Sequence, residues 1–141
     1  MQQRLSIITL GVANLKTAQA FYDALGWKAS SEEEGIVCYD LQSMALALYP
    51  LDKLEEDAKV PVVKSGYSSI TIAHNVGSES EVDQTLAQAE KAGGEIIKPA
   101  EKVFWGGYSG YFSDPDQYLW EVAYNPHSVL GSNGEFQWKG F

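Results

Sequence analysis

The chain has 141 residues, with 19 acidic side chains against 10 basic ones and a formal net charge of −9. That length suffices for one domain with its own core, and 45% hydrophobic with 21% charged residues is an ordinary globular balance. A negative field of this size repels phosphate backbones and anionic lipid surfaces, so nucleic acid and membranes are not expected partners.

Residues 5–12, LSIITLGV, are short, β-branched and apolar, and read as a strand. Asn14 then stands where an N-cap belongs. Leu15, Ala18, Phe21, Tyr22 and Leu25 follow at helical spacing and Gly26 offers a stop, which predicts a helix over 15–25. Extended segments are expected at Trp27–Ser30, Gly35–Leu41 and Met44–Tyr49, the last ended by Pro50. Residues 51–66 are charged and contain a proline; they read as a connection with room for one short helix.

The order then repeats. A strand is expected at Ser68–Ala73. Ser78 and Glu81 have capping-box spacing. Val82, Leu86 and Ala89 mark one face of a helix ending near Gly93–Gly94, and extended segments follow at Glu95–Pro99, Tyr108–Ser113 and Leu119–Tyr124. Each half is therefore β-α-β-β-β. Locally, Ile8-Thr9-Leu10 matches Ile70-Thr71-Ile72, and Tyr49-Pro50 matches Asn125-Pro126. The division expected is a first module over 4–50, a linker over 51–66, a second module over 67–126 and a tail over 127–141. Each helix would cover one face of its sheet and leave the other face to a shared trough.

The acids fall partly in short runs (Glu32–Glu33–Glu34, Glu55–Glu56–Asp57), which read as solvated faces. Cys38, the single cysteine, cannot form an internal disulfide. With Ile36, Val37 and Tyr39 around it and no histidine near in sequence, it reads as an inert strand thiol. No apolar stretch approaches the ~18 residues of a membrane helix, and the N-terminus lacks a signal peptide's pattern, so the cytoplasm is the expected location.

The segments GVANLKTAQAFYDALGW and GGYSGYFSDPDQYLWEVAYNP resemble, in this order, those of the vicinal oxygen chelate superfamily of glyoxalases, bleomycin-resistance proteins and extradiol dioxygenases. The resemblance covers about residues 5–126. It departs at Gln117, where the family usually has glycine, and at Asn14, where it has aspartate. The fold it implies is α+β: two β-α-β-β-β modules forming an incomplete barrel around a central trough, commonly in a homodimer. Metal-using members take ligands from the first and fourth strands of each module. Carried over, those positions fall on Ile7, on Ala47 (Ala45 being the alternative), on Ser69 and on Glu121. Isoleucine and alanine supply no donor, and a neutral serine hydroxyl is a poor one. His74 and His127 are expected outside the trough. The resemblance thus implies a member without a metal site and without a cofactor.

Strand alternation assigns the trough lining. Ile7, Thr9, Ala47 and Tyr49 are expected to line the first half; Ser69, Thr71, Leu119 and Glu121 the second. Trp105 is a candidate lip over a planar ligand, with Tyr108 and Tyr111 beside it. Trp120 should belong to the core. Such a lining, mostly apolar with sparse polar groups, suits a small molecule. Glu121 has three open readings: a general base, an anchor for a cationic or hydroxylated ligand, or a shape-holding remnant. The functions carried forward are metal-free binding of a small, partly aromatic molecule, a glyoxalase-like lyase or isomerase, and an interaction module using the tail GSNGEFQWKGF. Phe136 and Trp138 of that tail are expected to pack on the domain or a dimer mate.

Overall fold

The computed structural model describes residues 1–33, 35–61 and 69–139. The chain divides into two compact units, residues 1–66 and 67–141. Each unit carries a four-stranded sheet of the same topology, and neither sheet closes on itself.

In the first unit, β1 (Ile7–Val12) leads into α1 (Leu15–Ala24), then β2 (Ser31–Glu33), β3 (Ile36–Leu41) and β4 (Met44–Pro50). The strand order is β1-β4-β3-β2, with β1 and β4 parallel and the other pairs antiparallel. Asn14 caps α1 as its spacing requires, its Oδ1 accepting from Thr17 N at 3.0 Å. Gly26 adopts φ +88° directly after the helix, so a residue with no Cβ penalty ends it there. The strand expected at Trp27–Ser30 lies instead at Ser31–Glu33. Trp27 is held by the helix end through its N–H to Tyr22 O, 3.1 Å, and its ring packs on Tyr22 and Tyr39 at 5.4 and 5.6 Å. Tyr22, Tyr39, Phe21, Leu46 and Leu48 are at most 2% exposed and form the core between α1 and the sheet. Removing one such aromatic side chain costs about 3–5 kcal/mol.

The second unit repeats the plan with β5 (Thr71–Asn75), α3 (Glu79–Lys91), β6 (Glu95–Lys102), β7 (Tyr108–Ser113) and β8 (Leu119–Tyr124), in the order β5-β8-β7-β6. Between the two plans lies α2 (Leu51–Ala58), the short helix for which the linker had room. The capping box forms: Ser78 Oγ accepts from Glu81 N at 3.2 Å, and Glu81 Oε2 reaches back to Gly77 N at 3.0 Å. Val82, Leu86 and Ala89 of α3 bury onto Phe112, Trp120 and Val122. Phe112 and Trp120 stack with planes 1° apart, which places Trp120 in the core as its alternation requires. A short hairpin, β9 (Val129–Leu130) with β10 (Phe136–Gln137), ends the described chain. Phe136 and Trp138 remain 41% and 60% exposed, their rings 6.3 Å apart.

The fifth strand differs from expectation. Ser68 lies outside the described residues, and Ser69 has φ +58°, a left-handed conformation that no strand residue holds. The strand starts at Thr71, and Ile70, which precedes it, is 66% exposed. The strand expected at Glu95–Pro99 runs on to Lys102, with register shifts after Ile96 and after Lys98. Pro99 is tolerated there because β6 is an edge strand.

Candidate functional site

The two faces of the second sheet can be told apart at Gly110. A methyl group built there would lie 2.6 Å from Leu86 Cδ1 of α3, so Gly110 faces the helix. Its register partner Val122 and the pair Phe112–Trp120 share that face. The opposite, open face therefore carries Thr71, Ala73 and Asn75 from β5, Leu119, Glu121 and Ala123 from β8, and Ser109, Tyr111 and Ser113 from β7. Glu121 stands between Ala73 and Tyr111 in register, and Tyr111 stands opposite Lys98 on β6. Lys98 Nζ lies 5.8 Å from the Tyr111 ring centre and 2.9 Å from Glu101 Oε1. One row of the sheet thus presents a carboxylate, a phenol ring and an ammonium group. Glu121 and Tyr111 are half-buried, while Ser109 is 2% exposed.

The first sheet has the same two faces. Tyr39, Leu46, Leu48 and Leu10 face α1. Ile7, Thr9, Ala45, Ala47, Tyr49 and Cys38 belong to the open face, and the row corresponding to the Glu121 row is Thr9, Ala47, Cys38 and Ser31. Ile7 is 58% exposed and Thr9 is exposed, whereas Ala47, expected to leave room, is only 1% exposed. The open floor of this sheet runs along β1.

Three of the expected lining residues sit elsewhere. Tyr108 shares the parity of Gly110 and turns to the helix, its hydroxyl donating to Asp83 Oδ1 of α3 at 3.0 Å. Trp105 is not a free lip: its indole lies against Gly107, in the space a Cβ would take, within the turn closed by Gly106 N to Val103 O at 2.9 Å. Ser69 precedes the strand and is exposed. The repeat itself gives the correct position. Ile7 lies seven residues before the cap Asn14, and Thr71 lies seven before the cap Ser78. Ile7 pairs with Ala45 and Thr71 with Leu119; Thr9 pairs with Ala47 and Ala73 with Glu121. Thr71, not Ser69, is the counterpart of Ile7. Lys98 was missed because alternation fails across the shifts in β6. His74, on the helix side of β5, has its pKa held below the ordinary histidine value by burial.

The Asp-Pro-Asp-Gln turn that aims β8 is held by Asp114, 3% exposed, whose Oδ1 accepts from Asp116 N at 3.0 Å and Tyr118 N at 2.9 Å. Gln117, at the position where glycine was expected, takes φ +69°.

The sequence matches the profile of the glyoxalase/bleomycin resistance protein/dioxygenase superfamily over residues 4–122. The chain belongs to this superfamily. A solved glyoxalase-related enzyme from Fulvimarina pelagi is 34% identical over 99% of this chain and 100% of that one, with a TM-score of 0.92. A glyoxalase/bleomycin resistance protein/dioxygenase family enzyme from Burkholderia phytofirmans PsJN is 17% identical over 84% and 96% of the two chains, TM-score 0.76. A lactoylglutathione lyase from Agrobacterium tumefaciens is 20% identical over 89% and 96%, TM-score 0.68. The last two share the fold. No curated protein matches the chain.

Metal-using members of the superfamily need several nitrogen or oxygen donors around one ion. Here the corresponding positions hold Ile7, Ala47, Thr71 and Glu121: one carboxylate, one hydroxyl and two hydrocarbons. Among the described residues no group of three or more His, Cys, Asp or Glu side chains comes together. This donor set does not fit a divalent ion. Among the described residues, no helix is long and apolar enough to cross a membrane.

Proposed function

We propose that this chain is a metal-free member of its superfamily that binds a small, partly aromatic molecule against its open sheet faces. The observation that carries the reading is the row Glu121, Tyr111, Lys98. A ring can lie against Tyr111 while an amine or hydroxyl on it meets the Glu121 carboxylate, the usual division of labour in small-molecule sites. Of the three readings of Glu121, this favours the anchor. Benzylamine is the simplest probe of that chemistry. It should raise the melting temperature of the wild type in a dose-dependent way, and Glu121→Gln should abolish the rise. An equal rise in both proteins would overturn the anchor role.

A glyoxalase-like lyase or isomerase is the second reading, favoured by the 34% identity to a glyoxalase-related enzyme along the full chain. Stoichiometric nickel, zinc, manganese or iron in the purified protein would establish a metal site and defeat the metal-free reading.

A cytoplasmic homodimer is part of the proposal. Phe136 and Trp138, exposed on the single chain, suit coverage by a dimer mate. Light scattering of the full chain and of a chain lacking residues 131–141 tests this: a dimer reduced to monomer supports it, and an unchanged mass counts against it.

A further inference from the structure

We infer that the ligand of the second sheet's open face is an aromatic zwitterion, a ring with an amine at one end and a carboxylate at the other, and that Lys98 receives the carboxylate. The inference rests on the proposed function, because it extends the site of Glu121 and Tyr111 by one strand. Glu121 on β8, Tyr111 on β7 and Lys98 on β6 stand in one row across three adjacent antiparallel strands. Neighbouring strands lie about 4.8 Å apart, so the acidic and basic ends of the row are about 10 Å apart at the backbone, with the phenol ring between them. A benzene ring lying along the row turns two para substituents toward its opposite ends. The groups that complement those ends are an ammonium facing Glu121 and a carboxylate facing Lys98.

Lys98 does not stand as an ordinary strand residue would. Lys98 and Glu101 are three residues apart, a spacing that turns side chains to opposite faces of a regular strand. The register shift between them brings both to the open face: Lys98 pairs with Tyr111, and Glu101 with Ser109. There Lys98 Nζ meets Glu101 Oε1 at 2.9 Å and lies 5.8 Å from the Tyr111 ring centre. Irregularities of this kind re-aim a side chain and are common beside binding sites. The Lys98 side chain is 37% exposed. An ion pair that wet adds little to a fold, so stability alone does not account for the arrangement. The bond to Glu101 uses one of the three ammonium donors and fixes the direction in which the others are offered. A chain of net charge −9 repels a carboxylate at long range, and a positioned ammonium is what a site on it needs to hold one.

Isothermal titration of the full chain with benzylamine, para-aminomethylbenzoate and ortho-aminomethylbenzoate tests the inference. The para zwitterion should bind about fivefold tighter than benzylamine, the gain of one charge-assisted contact made in competition with Glu101. The ortho isomer, whose two groups sit side by side, cannot reach both ends of the row and should show no gain. Lys98→Met should bring the ratio of para-zwitterion to benzylamine affinity to about one. A para zwitterion that binds no tighter than benzylamine, an equal gain with the ortho isomer, or a gain that survives in Lys98→Met would each overturn the inference. The comparison of isomers needs no variant, so it decides by itself if Lys98→Met does not melt cooperatively. If Glu121→Gln weakens benzylamine but the carboxylate adds nothing in the wild type, this inference fails and the Glu121 anchor stands. If Glu121→Gln changes none of the three affinities, the anchor fails and the bridging ligand with it.

Discussion

Tyr111 and Glu121 face each other directly across β7 and β8, on the surface turned away from α3. The pair brings a flat apolar ring beside a carboxylate, with Lys98 on the next strand 5.8 Å from the ring centre. Offset or edge contacts between aromatic rings contribute about 0.5–1.5 kcal/mol beyond buried area. Tyr111→Ala is therefore expected to weaken benzylamine binding by about 2–12-fold, since 1.4 kcal/mol corresponds to about tenfold. Isothermal titration measures it. Glu121→Gln keeps the side chain's size and one acceptor, so its cost in urea unfolding should stay below about 1 kcal/mol. A larger loss would show that the carboxylate holds the fold instead of a ligand.

Gln117→Gly should stabilise the protein. Gln117 holds φ +69° in the turn before β8, with its N–H donated to Asp114 O at 2.9 Å. A left-handed residue with a Cβ costs roughly 1–2 kcal/mol, and glycine gives back about 0.4–1 kcal/mol through the freedom of the unfolded chain. The net gain expected lies between zero and about 1.6 kcal/mol, read as a higher urea midpoint with an unchanged slope. Gln117→Ala keeps the Cβ and should give no such gain.

The repeated β-α-β-β-β order was legible because its signals are local. Asn14, Ser78 and Glu81 mark helix starts by bonds within three or four residues, and alternation on β8 placed Glu121 and Trp120 on opposite faces. Errors arose where a longer range decides. Matching Ile8-Thr9-Leu10 to Ile70-Thr71-Ile72 put Ser69 opposite Ile7, but the strand is registered from its helix cap, which selects Thr71. Tyr108 and Tyr111 are three residues apart on one strand, a spacing that already separates their faces. Lys98 was hidden by the irregular register of β6.

Gly110→Ala is expected to destabilise the second unit. A Cβ there would lie 2.6 Å from Leu86 Cδ1 and 2.9 Å from both Ala100 N and Lys98 O. Leu86 is a side-chain tip that can shift, but the other two atoms are backbone of the neighbouring strand. Overpacking typically costs about 1–3 kcal/mol, and the fixed backbone argues for the upper half of that range. Chemical unfolding measures the loss. Coupling to Leu86→Ala in a double-mutant cycle should recover only part of it, because the strand contacts remain.

His74 makes stability depend on pH. It lies on the helix side of β5, opposite Val122, and part of its surface stays in water while burial lowers its pKa. The sign follows from proton counting. In the unfolded chain histidine titrates near ~6.5, and in the folded chain His74 titrates lower. As pH falls through the unfolded value toward the folded one, the unfolded chain binds more protons, and stability declines. The contribution of the neutral ring is complete above the unfolded pKa and is lost on acidification. Melting temperatures recorded from pH 7.5 down to pH 5.5 should fall for the wild type and fall less for His74→Gln, whose side chain does not titrate. Equal slopes in the two proteins would show that the ring titrates alike in the folded and unfolded chain.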